Sequence, residues 1–176
     1  MTTTPSLPRS IIPSATQLRI LDQRRLPAET TYLDCTTTDS VIDAIKTLAV
    51  RGAPAIGLAA AYGLLLGRTV GQGPDETLSQ FEAAASALIA ARPTAVNLAW
   101  AVEHMMTCVR HEHRNAFPEG WTDRLKAEAD QLFDADRQAC LTMGKIGAEL
   151  IPRGGRVLTH CNAGSLAVSE FCLLYT

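Results

Sequence analysis

No stretch of the 176 residues stays uncharged and apolar for the ~18 to 20 positions that a membrane-spanning helix needs. The longest uncharged run lies between Arg51 and Arg68. Its sixteen residues are rich in Ala and Gly, a composition that reads as tight packing. The amino-terminal MTTTPSLPRSIIPSATQ lacks the continuous apolar core of a secretory signal. No basic run interrupts a formal net charge of −2, which argues against nucleic acid or an acidic membrane surface as the main partner. The five cysteines (Cys35, Cys108, Cys140, Cys161 and Cys172) are odd in number and include no CxxC pair, as expected of free thiols in a reducing cytoplasm. There is no Walker loop, no GxSxG nucleophile turn and no internal repeat.

A chain 47% hydrophobic and 19% charged is too apolar to be disordered, and its length suits about one domain of ordinary size. The expected class is α/β overall: a mainly helical domain with a small β-hairpin, then the truncated start of a Rossmann-like parallel unit. Residues 1–16, rich in Thr, Ser and Pro, read as a flexible terminus. Within the helical domain, 17–152, alternation at Leu18 and Ile20 and the β-formers Thr31 and Tyr32 predict a hairpin of 17–22 with 30–34. Thr36, Thr37, Thr38 and Asp39 supply N-caps for a helix whose apolar face is Val41, Ile42, Ile45, Leu48 and Ala49, stopping at Arg51-Gly52. A second helix opens at Pro54, a third at Pro74 with acidic residues at its start, and a fourth at Thr94. The fifth, from Leu125 to Leu150, carries Ala129, Leu132, Ala139, Met143 and Ile146 at helical spacing. Residues 153–176 then change character: Arg156-Val-Leu-Thr-His160 predicts a strand, Cys161-Asn-Ala-Gly-Ser165 a turn, and the rest a helix. That is the opening of an α/β unit.

Several segments can carry chemistry. Arg51-Gly-Ala-Pro-Ala-Ile-Gly57 joins two helices, so unpaired helix N–H groups, a close-approach glycine and a guanidinium suit a phosphate; Gly and Pro also simply punctuate a chain in this way. Arg92-Pro-Thr-Ala-Val-Asn97 has the same character, with an Arg fork fit for phosphate oxygens or for an ordinary helix C-terminus. Cys161 falls where the predicted strand ends, the edge at which open parallel sheets bind ligands, although buried structural cysteines are common. Adjacent strand residues face opposite ways, so His160 is a poor activator for it. His104, Cys108 and His111 share one face of the fourth helix. Their spacing matches no zinc pattern and they lack a fourth ligand, so a partly exposed polar face and no metal is the expectation.

Val50-Arg-Gly-Ala-Pro-Ala-Ile-Gly57, Ala91-Arg-Pro-Thr-Ala-Val-Asn97 and Leu158-Thr-His-Cys-Asn-Ala-Gly164, together with Leu21-Asp-Gln, resemble methylthioribose-1-phosphate isomerases in order and approximate spacing. The resemblance spans roughly 17–167. The wider family takes in ribose-1,5-bisphosphate isomerases and the regulatory subunits of the translation initiation exchange factor. It implies an aldose-to-ketose isomerisation in methionine salvage, with no cofactor and no metal. It also implies that Arg51, Gly52, Ala53 and Arg92 bind a sugar-phosphate substrate and that Cys161 stabilises the transition state. In the family a catalytic Asp lies in the second half of a longer chain. None of Asp123, Asp130, Asp134 or Asp136 occupies its position, so little or no turnover is expected of the 176 residues alone. A cytoplasmic homodimer is expected only of the full-length protein. The alternatives are a non-catalytic sugar-phosphate-binding or regulatory module, or a ribose-1,5-bisphosphate isomerase.

Overall fold

A computed structural model describes residues 8–14, 16–66, 73–160 and 163–170. Three short antiparallel strands, β1 (Ile11–Pro13), β2 (Leu18–Leu21) and β3 (Tyr32–Cys35), form a sheet in the order β1-β2-β3. The alternation at β2 works as its sequence predicts. Leu18 and Ile20 are fully buried, while Arg19 between them lies over the Tyr32 ring and pairs with Asp34 at 3.0 Å. The predicted hairpin is thus β2 with β3, but β1 falls within the segment expected to be flexible. Its Ile11 is fully buried and registers with Ile20, and the Ser14 N–H donates to the Gln17 carbonyl to close the turn. Two adjacent isoleucines outweigh the surrounding Thr, Ser and Pro.

Five helices follow. In α1 (Thr38–Lys46) Thr37 is the N-cap and forms a reciprocal capping box with Ser40. It ends earlier than the apolar spacing predicts, because Leu48 takes a left-handed φ of 60° and the N–H groups of Ala49 and Val50 both fold back to the Ala44 carbonyl. α2 (Ala53–Gly63) is the uncharged Ala/Gly segment. It is buried on nearly every side, in contact with α1, α4 and α5. Small residues allow that: a Cβ on Gly63 would press within 2.8 Å of the Val41 side chain. α3 (Pro74–Ala91), α4 (Val96–Arg114) and α5 (Trp121–Leu150) complete a layer closed by Leu88, Leu98, Met105 and Leu125, all at most 1% exposed.

The predicted strand is not formed among the described residues. Residues 156–160 form no strand, and Leu158 is 98% exposed. A strand is stable only against a partner, and none lies beside this segment among the described residues. Within the described part of the predicted helix there is a 3-10 turn, Ser165–Ala167, and the rest of that prediction, 171–176, lies outside the described residues. The end of α5 also departs from its spacing: Met143, Ile146 and Leu150 are 54–79% exposed rather than core. The described residues therefore make a mainly helical domain with a small antiparallel sheet.

Two buried carboxylates tie stability to pH. Glu112 accepts from Arg124 Nε and Nη2 at 2.9 and 2.7 Å, and Asp22 accepts from Arg24 Nε and Nη2 at 2.7 Å each. These hydrogen bonds hold both acids below their usual values of 4.5 and 3.8. A carboxylate depressed by folding contributes stability above its unfolded pKa and loses it as pH falls through the folded one. The melting temperature should hold on acidification toward 4.5, the ordinary Glu value, and decline below it. Replacing Glu112 with Gln should flatten that decline, which differential scanning calorimetry across pH reads directly.

Candidate active site

Arg51, Gly52 and Ala53 turn the chain into α2. Gly52 is its N-cap at φ 96°, a conformation that side chains other than glycine's rarely adopt, and no side chain caps the helix. The first turn of α2 also holds no carboxylate. Arg51 and Ala53 are exposed. Arg92, half-buried, is the C-cap of α3, and its carbonyl accepts from the Ala95 N–H as the chain swings into α4. The N-terminus of α4 repeats that of α2: no side-chain cap at Ala95 and no acid in the first turn. The other helices differ, with a capping box in α1 and first-turn acids in α3 and α5.

The two helices approach each other near these ends. A Cβ on Gly57 would sit 2.9 Å from the Asn97 carbonyl oxygen, so α2, one turn in, meets the first turn of α4 backbone to backbone. Together with α5 they enclose a cavity of about 260 Å³ lined by Pro54, Gly57, Leu58, Asn97, Trp100 and Asp136, among others. Neither helix N-terminus has a side-chain cap, each carries the positive end of a helix dipole, and the Arg51 and Arg92 guanidiniums join no ion pair among the described residues. Arg51, Gly52, Ala53 and Arg92 do not themselves line that cavity; they flank its helices.

Cys161 lies outside the described residues. The chain just beyond it does not: a Cβ on Gly52 would fall 2.4 Å from the Ala167 Cα and 2.6 Å from its carbonyl oxygen. This turn is bound firmly to the helical domain. Ser10 Oγ and Gln23 Nε2 donate to the Leu166 carbonyl at 2.6 and 2.9 Å, and the Ser169 N–H donates to Asp136 at 2.8 Å. Glu170 accepts from Arg137 at 2.9 Å and pairs with Arg9 at 3.2 Å. Gln23 does more, because its backbone N–H also donates to the Ala49 carbonyl, two residues before Arg51. The Leu21-Asp-Gln segment therefore fastens the Arg51 turn to the segment that follows Cys161.

Asn97 closes the motif that begins at Arg92, but spacing alone did not single out Ser10, Trp100 or Asp136. Each reaches the site through tertiary contact, and a lone Ser or Asp in a polar stretch carries no periodic signal. The triple His104, Cys108 and His111 is likewise rearranged. His104 and Cys108 converge with Glu128 of α5, and His111 is not in that group.

Comparison with known proteins places the chain in a family. Residues 49–173 match the initiation factor 2 subunit family. Methylthioribose-1-phosphate isomerase of Pelotomaculum thermopropionicum is 48% identical over 159 residues, and that of Stenotrophomonas maltophilia 44% over 165. These alignments take in 88% and 93% of the chain but 43% and 45% of the relatives, so the chain spans less than half their length. The crystal structure of 5-methylthioribose 1-phosphate isomerase from Pyrococcus horikoshii superposes with a TM-score of 0.87 at 37% identity, over 97% of this chain and 49% of that one. The delta subunit of translation initiation factor eIF-2B from A. fulgidus superposes with a TM-score of 0.80, also at 37% identity, over 92% and 47%. Sequence and fold converge on one assignment: this chain belongs to the initiation factor 2 subunit family and corresponds to the amino-terminal part of its isomerase members.

Proposed function

We propose that this chain carries the phosphate-gripping part of an isomerase that converts methylthioribose 1-phosphate to methylthioribulose 1-phosphate. The observation that carries the reading is the close approach of α2 and α4 near their uncapped, acid-free N-termini, which follow Arg51 and Arg92 in the chain, with Gly52 pressed onto the turn after Cys161. Phosphate on the anomeric carbon blocks a free aldehyde, so the ring opens with phosphate retained before hydrogen moves between C2 and C1. In this reading Arg51 and Arg92 hold the phosphate, Gly52 and Ala53 offer backbone N–H groups, and Cys161 stabilises charge as the transition state forms. The neighbouring cavity, with Pro54, Leu58 and Trp100 among its walls, offers an apolar surface to the rest of the sugar. The reaction needs no cofactor, and the full-length protein works as a cytoplasmic homodimer.

The test is turnover by the polypeptide as its own cells make it. Cys161→Ser should lower kcat about 10²- to 10³-fold while leaving KM for the sugar phosphate within a few-fold, as expected of a group that acts in the transition state. Unchanged kcat in a folded variant contradicts the role. The likeness to the eIF-2B delta subunit favours a second reading, a non-catalytic binding module. It predicts sugar-phosphate binding with no turnover in either protein.

A further inference from the structure

His104 and Cys108 stand one turn apart on α4, and Glu128 projects toward them from α5; their ligand atoms lie within 4.8 Å of one another. His104 Nε2 is 2.6 Å from Glu128 Oε1, and all three residues are half-buried. Tetrahedral zinc places sulfur at about 2.3 Å and nitrogen or oxygen at about 2.0 to 2.2 Å, so small side-chain rotations suffice for all three to meet one ion. We propose that His104, Cys108 and Glu128 bind a zinc-class divalent cation that clamps α4 to α5.

A thiolate and an imidazole select a borderline transition metal over calcium or magnesium, which prefer oxygen. Thiolate and carboxylate together balance the two positive charges. Binding releases the Cys108 thiol proton to solvent; the proton that His104 Nε2 shares with Glu128 also leaves to solvent, and the ring keeps or regains one on Nδ1, so that Nε2 coordinates. Cys108 and Glu128 also border a cavity of about 450 Å³, which leaves the fourth position open to water. Trp100 packs beside the imidazole, its ring centroid 5.7 Å from that of His104 and tilted by 30°. Sequence spacing missed the site because its third ligand comes from a different helix.

Purified whole chain, stripped with a chelator, should bind one equivalent of cobalt(II) with a thiolate-to-metal charge-transfer band, and zinc should displace it. Cys108→Ser should abolish the band. His104→Ala and Glu128→Gln should each weaken zinc at least ~10-fold, and zinc should raise the melting temperature of the parent but not of Cys108→Ser. Circular dichroism confirms that each variant is folded, and Glu128→Gln, nearly isosteric, serves if Cys108→Ser is not. The same zinc stoichiometry and affinity in the three variants, or no binding at micromolar metal, overturns the site.

Discussion

Replacing Gly52 with alanine should destabilise the fold by about 3 kcal/mol and, under the function proposed above for the polypeptide as its source cells make it, lower kcat/KM by at least ~100-fold in whatever protein remains folded. Two costs combine. The backbone sits at φ 96°, where strain for a residue with a Cβ is of order 1 to 3 kcal/mol. The new Cβ would also lie 2.4 Å from a backbone atom of Ala167, and that turn has little freedom to move. It is held by Ser10 and Gln23 at Leu166 and by Asp136 at Ser169. Moving it breaks those bonds and shifts the segment that begins at Cys161. A protein of this size loses about 2 to 4 °C of melting temperature per kcal/mol, so thermal unfolding should read a drop of about 6 to 12 °C. Gly73→Ala is the control. Its Cβ meets nothing within 4 Å and its φ is −62°, so its melting temperature should move by no more than a degree or two, the scale of ~0.5 kcal/mol.

Arg51→Ala and Arg92→Ala should each reduce kcat/KM for the sugar phosphate by about 10- to 100-fold, with melting temperatures close to that of the parent. A charge-assisted hydrogen bond to phosphate contributes of order 1.5 to 3 kcal/mol, which sets that range. Stability is spared because neither guanidinium joins an ion pair among the described residues, and Arg51 is exposed. Lysine should rescue only in part, since a point charge does not reproduce the planar fork. Inorganic phosphate offers a second readout: it should compete with substrate in the parent and lose that competition in both variants. Equal losses of stability and activity would instead assign the arginines to packing.

Much of the fold was legible because its signals are local. The Thr37 capping box, proline within the first turn of α2 and α3, and the alternation at Leu18 and Ile20 act within a few residues of themselves. What sequence reasoning lost is what depends on partners. Ile11 is a strand residue only because Ile20 stands beside it. Val157 and Leu158 read as a strand, but the described residues offer no neighbour to complete one, and both are exposed. Leu48 and Ala49 kept helical spacing after the helix had ended, because the left-handed Leu48 returns Ala49 to the core by another route. The candidate site divides in the same way. Arg51, Gly52 and Arg92 stood out as helix-end residues, whereas the fastening by Gln23, Ser10 and Asp136 joins positions more than 30 residues apart.

The most direct test of the account is a substrate comparison with the polypeptide as made by its source cells. Methylthioribose 1-phosphate and ribose 1,5-bisphosphate would be offered at equal concentration, and the ketose products followed by phosphorus NMR. Conversion of methylthioribose 1-phosphate, in preference to the bisphosphate, is the expected result. Binding of both without product, or conversion of the bisphosphate alone, would contradict it.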